Sequence, residues 1–156
     1  MKELNSAKLV RDRITISCIF NRGESKRVLL RPIFDTGAMY TLLRADRLGR
    51  NLSKSNLDIV DRKMITGFAK DRPFEIYKIK VLQLTVANIS LEGQYVWVTF
   101  DDSVSDDVIG FDILKSLSFF YSNTDSTIHI FRTFKDMQDY MVKDVDIKNL
   151  TAGIRN

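Results

Sequence analysis

Short apolar runs recur along the chain, several of them alternating with polar residues, and they predict a small, mostly β domain. Helical spacing is confined to a segment near residues 41–50, a few residues after position 110, and the stretch beyond residue 132. Two Pro and seven Gly in 156 residues leave little material for linkers, and no repeat or low-complexity run divides the chain. A chain of this length fits one domain with a core large enough to fold without staples.

Ile14 to Phe20 reads as the first strand, Asn21-Arg22-Gly23-Glu24 as a hairpin turn, and Arg27 to Phe34 as the returning strand. Pro32 inside that return implies an edge position or a bulge, because proline cannot donate to a ladder. Thr41 to Arg50 reads as a short helix with Gly49 near its end. Ile59 to Ile65 is the next strand, followed by a turn over Thr66 to Arg72. Phe74 to Val81 then alternates, with Phe74, Ile76, Lys78 and Lys80 on one face and Tyr77, Ile79 and Val81 on the other. The strand run continues through Leu82 to Val86 and, after Leu91-Glu92-Gly93, through Tyr95 to Phe100. The last strands are Phe119 to Ser122 and Thr127 to Phe131, around Asn123 to Ser126. His129, the only histidine, alternates with Ile128 and Ile130 and is expected to face outward. Beyond them, Thr133 reads as an N-cap with Asp136 three residues on. Phe134, Met137, Met141 and Val145 share one helical face, suited to packing on the domain or to a dimer or docking contact.

Composition narrows the function. The net charge of +4 is small, and its basic residues are interleaved with acids, as in Arg11-Asp12-Arg13 and Asp61-Arg62-Lys63. Neither a nucleic-acid patch nor a membrane span emerges. The single cysteine, Cys18, lies in an apolar run, so a buried strand thiol is expected and an internal disulfide is excluded. With no leader-like segment in the first thirty residues, an intracellular, cytoplasmic protein is expected. The acidic run Asp101 to Asp107 echoes a calcium loop only faintly. Asp106 stands where that loop needs its Gly, and Asp112 replaces the bidentate Glu, so an exposed loop with no metal or other cofactor is expected.

The chemistry concentrates at Phe34-Asp35-Thr36-Gly37-Ala38. An Asp-Thr-Gly closing an apolar strand sets a carboxylate on a tight turn, where Gly admits a neighbouring backbone and the Thr hydroxyl can brace the loop. Taken alone, Asp35 also suits an ordinary turn. About seventy residues further on stands Val108-Ile109-Gly110-Phe111-Asp112-Ile113-Leu114. Together the two segments resemble the retropepsin-like (retroviral-type) aspartic proteases, across roughly residues 12–131.

That resemblance implies a single-lobe, closed β fold with one or two short helices, one of them following Gly110. Residues 1–131 would form the protease domain and residues 132–156 an added C-terminal helix. It implies an aspartic endopeptidase in which Asp35 is the catalytic carboxylate and Thr36, Gly37 and Ala38 complete the active-site loop. Val108, Ile109 and Gly110 would support that loop from beneath, and Asp112 would hydrogen-bond within the structure. Two carboxylates must face one water, and this chain has one Asp-Thr-Gly, so the resemblance implies a homodimer acting on a peptide or protein substrate. A hairpin tip at Ile65, Thr66, Gly67, Phe68 and Ala69 stands where the family carries its substrate-covering flap, with one Gly in place of several. Met39 and Phe111 occupy positions that are often polar or charged in retroviral enzymes. The usual Arg at the Phe111 position makes an intersubunit ion pair that this chain lacks. The alternative function is a retropepsin-fold dimerisation or peptide-binding module with weak or no protease activity.

Overall fold

The computed structural model describes residues 6–10, 13–24, 26–67 and 70–143. Twelve strands build two sheets among these residues. The smaller sheet runs β11 (Ser118–Ser122), β12 (Thr127–Phe131), β1 (Ser6–Val10), β2 (Arg13–Ile14), each antiparallel to its neighbour. The larger runs β4 (Arg27–Leu30), β3 (Cys18–Asn21), β8 (Lys70–Val86), β9 (Ile89–Thr99), β6 (Leu42–Arg44), β10 (Val108–Ile109), β5 (Ile33–Phe34). A further strand, β7 (Ile59–Gly67), pairs with the outer part of β8 as a long hairpin. A bridge between Thr15 and Ile33 links the two sheets. Three helices lie among the described residues: α1 (Ala45–Leu48), α2 (Phe111–Leu114) and α3 over residues 134–143. No helix among the described residues is long and apolar enough to cross a membrane.

The main core gathers Ile16, Cys18, Phe20, Leu43, Tyr77, Ile79, Val81 and Leu84 with Ile109, Ile113 and Leu114. Each such side chain removed from water contributes about 1.5–3 kcal/mol before entropy is counted. Burial pushes the Cys18 thiol up to about 12, because a thiolate would have no water around it. A second, smaller core of Leu42, Phe74, Ile76, Trp97 and Val104 has Tyr40 and Ile65 packed against it. Strand β8 feeds both: Tyr77, Ile79 and Val81 enter the first core, and Phe74 and Ile76 the second.

Several sequence expectations change. Ile14 to Phe20 splits into β2 and β3, and the returning strand breaks at Arg31-Pro32 into β4 and β5. Proline supplies no N–H there, and its carbonyl instead accepts from Ile16 N at 3.0 Å. The helix expected from Thr41 begins only at Ala45. Leu42 and Leu43 are fully buried as strand β6, held in parallel register with Trp97 and Val98. The strand run turns at Ala87-Asn88, and Leu91-Glu92-Gly93 lies inside β9, with Gly93 at φ +62°. The turn expected over Thr66 to Arg72 shrinks to a hairpin tip; Phe68 and Ala69 lie outside the described residues. The helix after Gly110 starts at Phe111 and ends at Leu114.

His129 does not face outward. It is 8% exposed, its ring stacked on Phe120 at 4.8 Å with Tyr140 of α3 beside it at 5.6 Å. Thr133 caps α3, its hydroxyl accepting from Asp136 N at 3.1 Å. The helix turns Met137 and Tyr140 inward, while Phe134 and Met141 stay exposed; Val145 lies outside the described residues. The cause is visible in the ring cluster: Tyr140 lies against Phe120, His129 and Phe131, and this contact sets the rotation of the helix.

Candidate active site

Strand β5 is two residues long and delivers the chain directly to Asp35. Its partner β10 lies parallel to it, Val108 opposite Ile33 and Ile109 opposite Phe34, and the ladder ends with Asp35 N donating to Ile109 O at 3.1 Å. The turn then closes on itself. Ala38 N donates to Asp35 O at 3.2 Å, and Gly37 N donates to Asp35 Oδ1 at 2.9 Å. One carboxylate oxygen is thus oriented by a backbone amide, and Asp35, Thr36 and Gly37 all stand exposed.

Gly110 holds this loop in place by its lack of a side chain. A Cβ there would sit 2.6 Å from Tyr40 O and 2.8 Å from Ala38 O, closer than such contacts allow. The backbone of the second motif therefore lies directly against the first, and Phe111 N donates to Ala38 O at 2.8 Å. Thr41, fully buried, ties the two together. Its hydroxyl accepts from Gly110 N at 3.0 Å and donates to Asp112 Oδ1 at 2.7 Å, while its amide donates to the same carboxylate at 2.9 and 3.0 Å. Asp112 also accepts from Ile113 N at 2.9 Å, so its carboxylate is committed to backbone and hydroxyl donors at the start of α2.

The acidic run before the second motif has protein partners. Asp107, 5% exposed, accepts from Arg44 N at 2.8 Å and from Arg47 Nη1 at 3.0 Å. Asp106 pairs with Arg13 at 2.7 Å, and Asp101 Oδ1 accepts from the amide and hydroxyl of Ser103. Among the described residues, no three His, Cys, Asp or Glu side chains converge as metal ligands.

A cleft of about 700 Å³ opens over Asp35. Asp35, Gly37, Ala38, Met39 and Tyr40 form its floor, and Met64, Ile65, Thr66, Gly67 and Pro73 of the β7–β8 hairpin form its roof. Among the described residues, Asp35 is the one carboxylate lining it. On its other side Asp35 also borders a smaller recess of about 300 Å³, where Asp106 is held by Arg13. Of the sequence-derived site residues, Asp35, Gly37 and Ala38 meet Ile65, Thr66 and Gly67 across the cleft. Thr36 lies at the exposed turn beside it, Val108, Ile109, Gly110 and Asp112 lie beneath, and Phe68 lies outside the described residues. Sequence reasoning missed Tyr40 and Thr41, although both follow Ala38 by two or three residues. It also missed Met64 and Pro73, for which the hairpin position was the only signal.

A solved structure is similar over most of the chain: the crystal structure of a retropepsin-like aspartic protease from Rickettsia conorii. The match covers 80% of this chain and 95% of that one at a TM-score of 0.56, with 17% identity. The fold is retropepsin-like. No protein-family model matches the chain, and no curated protein matches it.

Proposed function

We propose that this chain is an aspartic endopeptidase that acts as a twofold homodimer. The observation that carries the reading is the single carboxylate of Asp35, fixed by Gly37 N and by the Gly110 contact, at the floor of a cleft wide enough for a peptide. One carboxylate cannot both take a proton from water and donate one to the substrate carbonyl. A second copy, apposed through the exposed Asp35-Thr36-Gly37 turn, supplies the other. Two such carboxylates about 3 Å apart cannot both ionise, so the pair shares one proton. The ionised member takes the proton of the bound water as the water oxygen attacks the peptide carbonyl. The protonated member hydrogen-bonds the carbonyl oxygen, and collapse of the tetrahedral species returns a proton to the leaving amine.

The extended substrate lies between hairpin and floor, with alternate side chains in pockets. Met39, Met64, Ile65 and Pro73 favour bulky apolar residues next to the cleaved bond. Phe111, 51% exposed beside the Ala38 carbonyl, and Met39, 70% exposed, make an apolar shoulder to the Asp35 turn, suited to contact between the two copies. Residues 1–131 would carry the activity and residues 132–156 extend it. A reducing, cytoplasmic setting suits the one buried thiol.

The test is digestion of a mixed peptide library by the wild-type chain and by Asp35→Asn between pH 4 and 7, read by mass spectrometry. Cuts made by the wild type alone support the protease. Peptides bound by both proteins and cut by neither would replace it with a binding module.

A further inference from the structure

From the cleft, a row of rings and ammonium groups leads outward along the large sheet. Lys63 of β7 lies over the Tyr40 ring, 4.9 Å from its centre, and its Nζ also donates to the Tyr40 hydroxyl. Tyr40 meets Trp97 edge-on at 5.6 Å. Lys78 lies over Trp97 at 5.8 Å and over Tyr95 at 5.0 Å. Rings hold an ammonium in place and remove part of its water without neutralising it.

Neither lysine has a carboxylate partner among the described residues. Asp61 stands opposite Lys78 across the β7–β8 ladder, yet its Oδ1 accepts the Arg62 amide and no ion pair forms. Among the described residues, then, neither ammonium has an ion-pair partner, and Lys63 reaches the cleft through Tyr40, beside its apolar Met39, Met64, Ile65 and Pro73. Lys63 keeps N–H donors beyond the one given to Tyr40, and Tyr40 itself lines the cleft.

We propose that Lys63 and Lys78 are specificity-determining residues, and that the cleft selects peptides carrying an aspartate or glutamate a few residues from the bulky apolar pair. This rests on the reading of the cleft as a peptide site. The peptide's carboxylate hydrogen-bonds the Lys63 ammonium beside the Tyr40 hydroxyl, and Lys78 adds to the attraction from the next ring along. A salt-screened, solvent-facing pair of this kind is worth about a fivefold preference at low ionic strength.

The experiment measures binding and cleavage separately. Fluorescent octapeptides with an apolar centre, carrying Glu or its Gln twin at each flanking position in turn, are titrated against the Asp35→Asn chain by anisotropy. The expected result is a position at which the Glu peptide binds about five times more tightly than its twin at low salt. That ratio falls toward one in Asp35→Asn chains also carrying Lys63→Met or Lys78→Met, and Lys63→Glu reverses it in favour of a Lys-containing peptide. Far-UV circular dichroism confirms that each variant is folded. Equal binding of Glu and Gln twins at every position, no binding of any peptide, or a ratio that survives both lysine substitutions overturns the proposal. Cleavage of the same peptides by the wild type is scored apart: binding with the acidic preference but no cleavage removes the protease reading alone, whereas cleavage with no acidic preference removes this proposal alone.

Discussion

Replacing Gly110 by Ala tests whether the two motifs are pressed together as described. The backbone at Gly110 is extended (φ −104°), so alanine meets no conformational penalty and the whole effect is steric. Its Cβ would lie 2.6 Å from Tyr40 O, 2.7 Å from Tyr40 C and 2.8 Å from Ala38 O. All three are backbone atoms, which cannot swing aside as a side chain can. Relief needs a shift of roughly 0.6–0.8 Å between the Asp35 turn and α2, and overpacking of this kind costs about 1–3 kcal/mol. The same shift stretches the hydrogen bonds from Phe111 N to Ala38 O and from Gly110 N to Thr41 Oγ1, at about 1 kcal/mol each. The total is about 4 kcal/mol, which for a chain of this length lowers the midpoint of thermal unfolding by about 12 °C. Gly93→Ala is the control, because it lies at φ +62° with nothing within 4 Å of the added methyl. It carries only the left-handed backbone penalty of about 1–2 kcal/mol. Calorimetry on the two variants decides the matter. If Gly110→Ala melts no lower than Gly93→Ala, the Asp35 turn is not buttressed by the second motif and the account of the site is wrong.

Thr41→Val keeps the shape of the side chain but leaves Gly110 N without its acceptor, so chemical denaturation should show a loss of about 2 kcal/mol. Phe111→Asp places a charge on the apolar shoulder of the Asp35 turn, and sedimentation should show association of the proposed dimer weakened at least about tenfold with the monomer still folded. A dimer of unchanged affinity would place the contact elsewhere. Cys18 gives a pH signature. The unfolded thiol ionises near 9 and the folded one near 12, so above pH 9 only the unfolded chain sheds that proton. Stability is therefore intact below pH 9 and falls as pH rises toward 12, by about 2 kcal/mol at pH 10.5, a slope that Cys18→Ala should lack when denaturation midpoints are compared. In the native state Cys18 should resist iodoacetamide at pH 8 and react once denaturant is added.

The elements that sequence reasoning placed well are those whose cause is local. Asp35-Thr36-Gly37 marks its own turn, Thr133 its own cap, and the alternation over Phe74 to Val81 its own strand. Leu42 and Leu43 were misplaced into a helix because a short apolar run has no periodicity of its own. Their strand state comes from Trp97 and Val98, more than fifty residues away. His129 was turned outward because alternation presumes one wet face, whereas four consecutive residues from Thr127 to Ile130 are buried under Tyr140 on one side and the main core on the other. The Ala87-Asn88 turn was missed because Ala87, not a glycine, takes the left-handed conformation at φ 55°. The lysine-aromatic row was invisible for a different reason: Tyr40, Lys63, Lys78, Tyr95 and Trp97 come from four separate segments that only the sheet brings together.

The parallel pairing of β5 with β10 also orders events during synthesis. Asp35 leaves the ribosome early, but the carbonyl that accepts its amide belongs to Ile109, and the acceptor that fixes Thr41 belongs to Asp112. Strand β1 waits longer still, since its partner residues run from Thr127 to His129. A nascent or truncated chain that stops short of the second motif therefore carries the Asp-Thr-Gly without the framework that orients it. For a protein proposed to cut polypeptides, this delay keeps the cutting group unassembled until nearly the whole domain has been made.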